Sequence, residues 1–343
     1  DHRDLHLSIR RQRQMCIRDR INNVAHEPFV VITMDDLWPI YKKKFAPSTK
    51  VIFVESTDKK LLDDFILKLG NFSSIIGLGG GQAIDVAKYF SWKMNKPFFQ
   101  FPTSLSVDAA FGHRSAVRIK NVVRYVGWSV PECVFIDLDI IKSAPKKINT
   151  AGIGDILCFI TGVMDWQYAR DRGKLEKQWE YDEELANTSL SKAQAVIDDY
   201  QEIKNMTDKG IKIMIDALKW GGSSYCSSGW NPRHIEGVEH LIFYSLEYHT
   251  KKIFLHGQAV CLGIVIGSMM HKQRNEELRN IINKIGVDIK PKSMNIDWDE
   301  VKHSLFNLKN FVEKSNLMWG ISNDYDFDEN FFKEMIPRIE AKE

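Results

Sequence analysis

An aspartate and two histidines are the first residues in this chain whose types suggest chemistry. Asp155 stands in Gly152-Ile153-Gly154-Asp155 at the head of an apolar run. His240 lies within a second such stretch, and His256 begins a third in Leu255-His256-Gly257. Two neutral imidazoles and one carboxylate suit a divalent metal such as zinc, iron or nickel, and they leave coordination positions open for a substrate. Each residue is ordinary alone, since a single histidine among apolar neighbours is more often a core residue. Spacing by itself leaves both readings open, because residues on three helices converge only in a folded domain.

A second group suits a phosphate. Gly77-Leu78-Gly79-Gly80-Gly81-Gln82-Ala83-Ile84-Asp85 leaves a β-rich run and enters a helical one. Glycines let the backbone approach a pyrophosphate, and the helix's first turn offers free N–H groups and a positive dipole end. The run is not a dinucleotide fingerprint, because Gln82 stands where the third glycine belongs. It is not a P-loop either, because no Gly-Lys-Ser/Thr follows. Tight packing is the other use of such glycines, but a place at the C-terminal end of a parallel strand favours a ligand. Asp35-Asp36 follows the first β-rich run. A carboxylate there accepts from a ribose 2′-hydroxyl and repels a 2′-phosphate, favouring NAD over NADP, or it caps the helix from Leu37 onward. In Pro102-Thr103-Ser104-Leu105-Ser106-Val107-Asp108, hydroxyls and a carboxylate suit a cofactor or polyol, with a plain hydroxyl-rich turn as the alternative.

The elements that must hold these residues fall into two kinds. Phe29–Met34, Val51–Glu55, Ser74–Leu78 and Pro97–Phe101 read as buried strands, with helical spacing over Leu61–Leu69 and Ala83–Met94 between them. Such alternation predicts a Rossmann-like parallel sheet covered on both faces. Ser115–Trp128 reads as a hairpin around Lys120-Asn121, and Val134–Asp137 as a last strand. After Ala151 the β signal fades. Helices are expected over Gly152–Arg170, Asp182–Tyr200, Ile211–Trp220, Gly237–Tyr248, Ala259–Met270, Val301–Lys314 and Glu329–Ile339. The fold class is therefore an α/β nucleotide-binding domain, residues 21–148, followed by an all-α metal- and substrate-binding domain, residues 149–343.

Composition excludes several function classes. The 343 residues are 44% hydrophobic and 27% charged, as in an ordinary globular protein. The longest apolar run, Ala259–Met270, is too short to span a bilayer. Five dispersed cysteines without a CxxC predict reduced thiols in the cytoplasm. Residues 1–20 stand apart: they have no apolar period and resemble a translated sequencing adapter, with a genuine basic tail as the alternative. They are set aside from the fold, with the expectation that the native N-terminus and an opening strand or two are lost. This segment holds six arginines and three aspartates, so the whole-chain charge of +2 becomes −1 without it. Nothing in the charge then argues for nucleic acid.

The motifs together resemble a known family. Gly-Gly-Gly-x-x-x-Asp-x-x-Lys at Gly79–Lys88 is similar to the nucleotide loop of the iron-containing alcohol dehydrogenase and dehydroquinate synthase superfamily. Ala151–Asp155 with Asp165-Trp166, Gly237-Val238-Glu239-His240 and His256-Gly257 resemble its sn-glycerol-1-phosphate dehydrogenase branch. The resemblance runs from about Phe29 to Met270. It implies a dehydroquinate synthase-like fold and one divalent metal on Asp155, His240 and His256, zinc first, then iron or nickel. It also implies NAD or NADP at Gly79, Gly80, Gly81 and Thr103, with a carbonyl substrate between cofactor and metal. Asp35, Asp85 and Ser106 complete the expected cofactor contacts. Asp155 matches the dehydrogenases, since the sugar-cyclase relatives carry Glu there. The family's usual Ser-Arg-Pro-Ala-Ser before Gly-x-Glu-His is replaced by Pro232-Arg233-His234-Ile235-Glu236, which puts glycerol phosphate as substrate in doubt.

The expected activity is reversible reduction of a ketone on a small phosphorylated or polyol substrate, dihydroxyacetone phosphate to sn-glycerol 1-phosphate being the type reaction. A sugar-phosphate cyclase and an inactive nucleotide-binding homologue are the alternatives. Arg233 and Lys120 are offered as anion binders, and His234, Asp108 and His113 as proton relays. Asp165 is read as packing and capping. Partners are a small molecule and a second copy in a homo-oligomer, without nucleic acid or a membrane span.

Overall fold

The computed structural model describes residues 7–10 and 28–341. The chain divides into two compact units, residues 1–145 and 146–343.

The first unit is built on a six-stranded, wholly parallel sheet in the order β1-β8-β5-β4-β2-β3. Its strands are β1 (Leu7–Arg10), β2 (Phe29–Thr33), β3 (Lys50–Phe53), β4 (Ser74–Gly79), β5 (Phe98–Pro102) and β8 (Cys133–Asp137). The antiparallel hairpin β6 (Ser115–Ile119) and β7 (Val122–Val126) stands apart. Helices α1 (Trp38–Tyr41), α2 (Lys59–Ile66), α3 (Gly81–Met94) and α4 (Leu138–Ser143) complete the unit. Side chains alternate across a strand, so each strand feeds two cores. Val30, Ile32, Ile75 and Phe98 join Val86, Ala87 and Phe90 of α3 on one face. Val31, Ile76, Phe99, Phe101 and Phe135 pack with Tyr41 and Phe45 on the other. This two-faced burial explains why β4 is buried at every position and reads as an unbroken apolar run.

Lys120 and Asn121, at φ 53° and 63°, make the tight β6–β7 turn, a left-handed pair that suits a two-residue hairpin. Leu7–Arg10 lies parallel to β8 at the sheet edge, within the segment set aside from the sequence. Edge pairing uses only backbone N–H and C=O groups, so it says nothing of that segment's origin. The rest of residues 1–20 lies outside the described residues.

The second unit is helical. Its elements are α5 (Lys146–Ala151), α6 (Gly154–Asp171), α7 (Glu183–Asp198), α8 (Tyr200–Lys204), α9 (Asp208–Ser227), α10 (Val238–Thr250), α11 (His256–His271), α12 (Asn275–Ile285), α13 (Trp298–Phe306), α14 (Leu308–Lys314) and α15 (Glu329–Glu340). At its centre α6, α10 and α11 pack on one another. In α11 every residue from Ala259 to Met270 is buried, as befits a helix apolar on all sides. The stretch 146–171 has the length and hydropathy of a membrane span, yet 94% of its apolar 18-residue window is buried inside the protein.

Four points in the helical unit depart from expectation. Val301–Lys314 is two helices broken at Asn307. Helices α5, α8 and α12 fall where none was expected. The acidic first turn of α12, Glu276 and Glu277, is a start signal that the sequence reading passed over.

Candidate functional site

The three proposed metal ligands meet. Asp155, His240 and His256 bring one donor atom each to within 4.8 Å of one another. His256 Nε2 lies 2.9 Å from Asp155 Oδ1 and His240 Nε2 lies 3.9 Å from it. All three stand in the first turns of α6, α10 and α11, so three helix starts carry the cluster. Glycines set their approach. A Cβ on Gly154 would strike the backbone of Gly257, and one on Gly263 would strike the backbone of Glu239. Backbone-to-backbone contact of this kind leaves the ligand positions little slack.

Behind His240 lies a residue the sequence reading left without a role. Glu239 is fully buried; its Oε1 accepts from Gly237 N at 2.7 Å and meets His240 Nδ1 at 2.9 Å. A carboxylate there puts the proton on Nδ1 and leaves the Nε2 lone pair toward Asp155, as a metal ligand requires. The helix dipole favours Asp155 and Glu239, each in the first turn of its helix. Burial opposes charging of His240, but Glu236, Glu239 and Asp155 outweigh it and lift its pKa to about 9. Three carboxylates around two imidazoles thus call for positive charge. The donor set fits a divalent cation in that role. Cys158, Glu239 and His240 form a second buried group of donor atoms, but the Cys158 thiol already donates to Ile235 O at 3.0 Å.

The segment before His240 behaves differently from what its sequence suggested. Arg233, expected as an anion binder, is 1% exposed; it donates to Glu176 Oε2 at 2.6 Å and to Trp319 O at 2.6 Å. Its charge is matched inside the helical unit. His234, expected as a proton relay, is fully buried beside Trp166 and Trp220, with Nε2 2.8 Å from Ser224 Oγ. Burial pulls its pKa down to about 3, so it is a neutral packing group. Asp165 accepts from Ile321 N at 2.8 Å and lies 3.4 Å from His271 Nε2. It docks the turn Ile321–Asn323 and stays off the metal cluster.

In the first unit the phosphate-type residues gather at one sheet edge. Parallel strands put the C-terminal ends of β2, β4 and β5 side by side, and Asp35, Gly79–Gly81 and Thr103–Ser106 follow those ends. Thr103 N donates to Gly79 O at 3.0 Å, and Ser104 Oγ lies 3.5 Å from Ser106 Oγ. A Cβ on Gly80 would sit 3.3 Å from Ser104 Oγ, so hydroxyls flank the glycine turn where α3 opens. Gly79 has φ 151°, a backbone shape that side-chain-bearing residues resist. Asp35 and Asp36 are exposed in the turn after β2. They do not cap α1, whose N-cap is Leu37 without a side-chain bond.

Asp85, expected at the cofactor, instead accepts from Ala116 N at 3.2 Å and pairs with Lys88 Nζ at 2.9 Å. Lys88, 1% exposed, also donates to Gly112 O and Arg114 O. The pair ties α3 to the segment 112–116. Asp108 begins a 3-10 turn and is half-buried. His113 packs edge-on against Trp128, and burial with the nearby Lys88 charge lowers its pKa to about 4. Lys120 is exposed at the hairpin tip. The described cysteines, Cys133, Cys158, Cys226 and Cys261, form no disulfide.

Residues 44–145 match the family described as iron-containing alcohol dehydrogenase. The chain is 34% identical over 230 residues to the glycerol-1-phosphate dehydrogenase [NAD(P)+] of Pyrococcus horikoshii, covering 67% of this chain and 65% of that protein. It is 30% identical over 253 residues to the same enzyme of Thermococcus kodakarensis, covering 74% and 69%. In fold it is similar to glycerol dehydrogenase from Schizosaccharomyces pombe, with a TM-score of 0.64 and 18% identity over 91% of this chain and 82% of that one. The match to the first of these relatives spans just under two thirds of its length. By this likeness, and by the metal-type triad set in its ordered motifs, the chain belongs to the iron-containing alcohol dehydrogenase family, in its glycerol-1-phosphate dehydrogenase branch.

Proposed function

We propose that the chain is a metal-dependent, NAD(P)-linked alcohol dehydrogenase that interconverts a small hydroxylated ketone and its alcohol. The convergence of His240 Nε2 and His256 Nε2 on the Asp155 carboxylate carries this reading. A divalent cation held by these three groups supplies Lewis-acid polarisation of a carbonyl. Glu239 holds the His240 ring in the tautomer that offers Nε2. Gly79–Gly81 and the first turn of α3 offer backbone N–H groups to the cofactor's pyrophosphate. Asp35, exposed beside that edge, favours a ribose hydroxyl over a 2′-phosphate, and so NAD over NADP.

The relatives' names put glycerol 1-phosphate, and the dihydroxyacetone phosphate it would be oxidised to, first among substrates to assay. Glycerol and dihydroxyacetone stand beside them. The test follows NADH consumption with each ketone before chelation, after chelation, and after zinc is restored. Loss and recovery of turnover is the expected result. Undiminished turnover after complete metal removal would sink the metal-dependent reading.

A further inference from the structure

The two imidazoles of the cluster are held in different ways. His240 meets the Glu239 carboxylate through Nδ1 at 2.9 Å, so a hydrogen bond sets its ring. His256 lacks such a holder: among the described residues, no group hydrogen-bonds to its Nδ1. Its side chain is also the more exposed of the two, 22% against 6%. Its ring nevertheless stands with Nε2 2.9 Å from Asp155 Oδ1, the orientation that lets both histidines share one ion. The torsion that turns a histidine ring is broad and roughly two-fold, so something other than a hydrogen bond must choose this angle.

The ring against His256 is Phe243. Their centroids lie 4.6 Å apart with the planes at 87°, an edge-to-face pair at the close end of the usual range of about 4.5–7 Å. Phe243 is 1% exposed, so it is packed on all sides and cannot follow a swinging imidazole. It stands three residues after His240 on α10, on the same side of that helix. An imidazole that ligates a cation becomes electron-poor, and an aromatic neighbour favours that charge. We propose that Phe243 is the positioning residue for His256, holding its ring by shape as Glu239 holds that of His240 by charge. The inference rests on the metal-site reading of the proposed function and deepens it. Helix α10 then supplies one ligand and the holders of two.

The test uses the full chain loaded with zinc and, separately, with cobalt(II), whose visible d–d bands report ligand geometry. Wild type is compared with Phe243→Leu, Phe243→Met and Phe332→Leu. Phe332 is equally buried, but it packs with Phe306, Phe327 and Phe331, so its loss removes a core ring away from the cluster. Phe243→Leu is expected to weaken zinc binding about three- to tenfold in chelator competition and to shift the cobalt bands. Phe243→Met, which fills the space with a flexible chain, should do the same. Phe332→Leu should lower stability to urea comparably while zinc affinity and cobalt bands stay as in wild type. Unmoved affinity and bands in both Phe243 variants overturn the proposal, and so do equal changes in Phe332→Leu. Failure of both Phe243 variants to fold, with Phe332→Leu folded, makes Phe243 a folding residue and overturns it too. Absence of zinc and cobalt binding in wild type overturns the metal-site reading itself, and the proposal falls with it.

Discussion

The glycine turn of the sheet unit and the metal cluster of the helical unit are built from different material. At Gly79–Gly81 the surface proposed for the cofactor is backbone: N–H groups at the start of α3, flanked by two serine hydroxyls. At Asp155, His240 and His256 it is side chains, oriented by a second layer in which Glu239 fixes one ring. A backbone site depends on conformation and tolerates changes in the side chains around it. A side-chain site depends on identity, down to the proton on one nitrogen. The contrast predicts which substitutions are severe in each place.

The largest effect is expected at the cluster. His256→Ala removes one of three donors and should lower zinc affinity by well over the ~100-fold upper range for outer-layer partners, abolishing turnover. Chelator competition checks it, and an affinity within a few-fold of wild type would show that the three residues do not act as a set. Glu239→Gln keeps shape but loses the carboxylate, and should cost about 10–100-fold in zinc affinity with unchanged helicity by circular dichroism. Zinc binding as tight as wild type would reduce Glu239 to a helix-start residue.

At the sheet edge, Gly79→Ala forces an alanine to φ 151° with its Cβ 2.9 Å from Ala83 Cβ. Strain of about 1–3 kcal/mol follows, enough to weaken NADH binding by about tenfold. Ser106→Ala leaves the backbone in place and should change NADH affinity by less than about threefold, the loss of one neutral hydrogen bond. Fluorescence titration of NADH ranks the two, and a greater loss in the serine variant would overturn the backbone description.

The mildest prediction contrasts two histidines within the helical unit. His240 sits among carboxylates, whereas His234 sits among aromatic rings with its pKa lowered to about 3 from an ordinary 6.5. The unfolded chain takes a proton at His234 near pH 6.5 and the folded one does not. Its contribution is therefore complete above that pH and is lost as pH falls from 6.5 toward 3. Stability should fall by about 1 kcal/mol per pH unit over that window. Urea unfolding at pH 7 and pH 5 should show this slope in wild type and a shallower one in His234→Asn; equal slopes would remove His234 as its source.

Much of this organisation was legible in the sequence, for physical reasons that differ by region. Val30-Val31-Ile32 and Ser74–Leu78 announce two-faced strands because both sides of a parallel sheet are buried. Gly79–Gly81 announces itself because few other residues fit that turn. The triad needed the family resemblance, since no local period links Asp155 to residues about a hundred positions away. Glu239 was visible in Gly237-Val238-Glu239-His240 but went unread. Adjacent residues on a helix normally point apart. Here the first turn lets the carboxylate fold back to Gly237 N and reach the neighbouring ring. Arg233 and His234 misled because residue type says what a side chain could do, while burial decides what it does.

The glycine contacts that bring α6 against α11 and α11 against α10 have a consequence for which ions the cluster can hold. Gly154 against Gly257, and Gly263 against Glu239, are contacts in which backbone atoms limit how closely the helices approach. A frame of that kind would discriminate by radius as well as by ligand preference. It would suit small ions bonded at about 2.0–2.2 Å and leave calcium, which prefers six to eight oxygens at about 2.3–2.6 Å, without room to spread its ligands. The helices' closeness, a packing feature by origin, would then act as a gauge of ionic size.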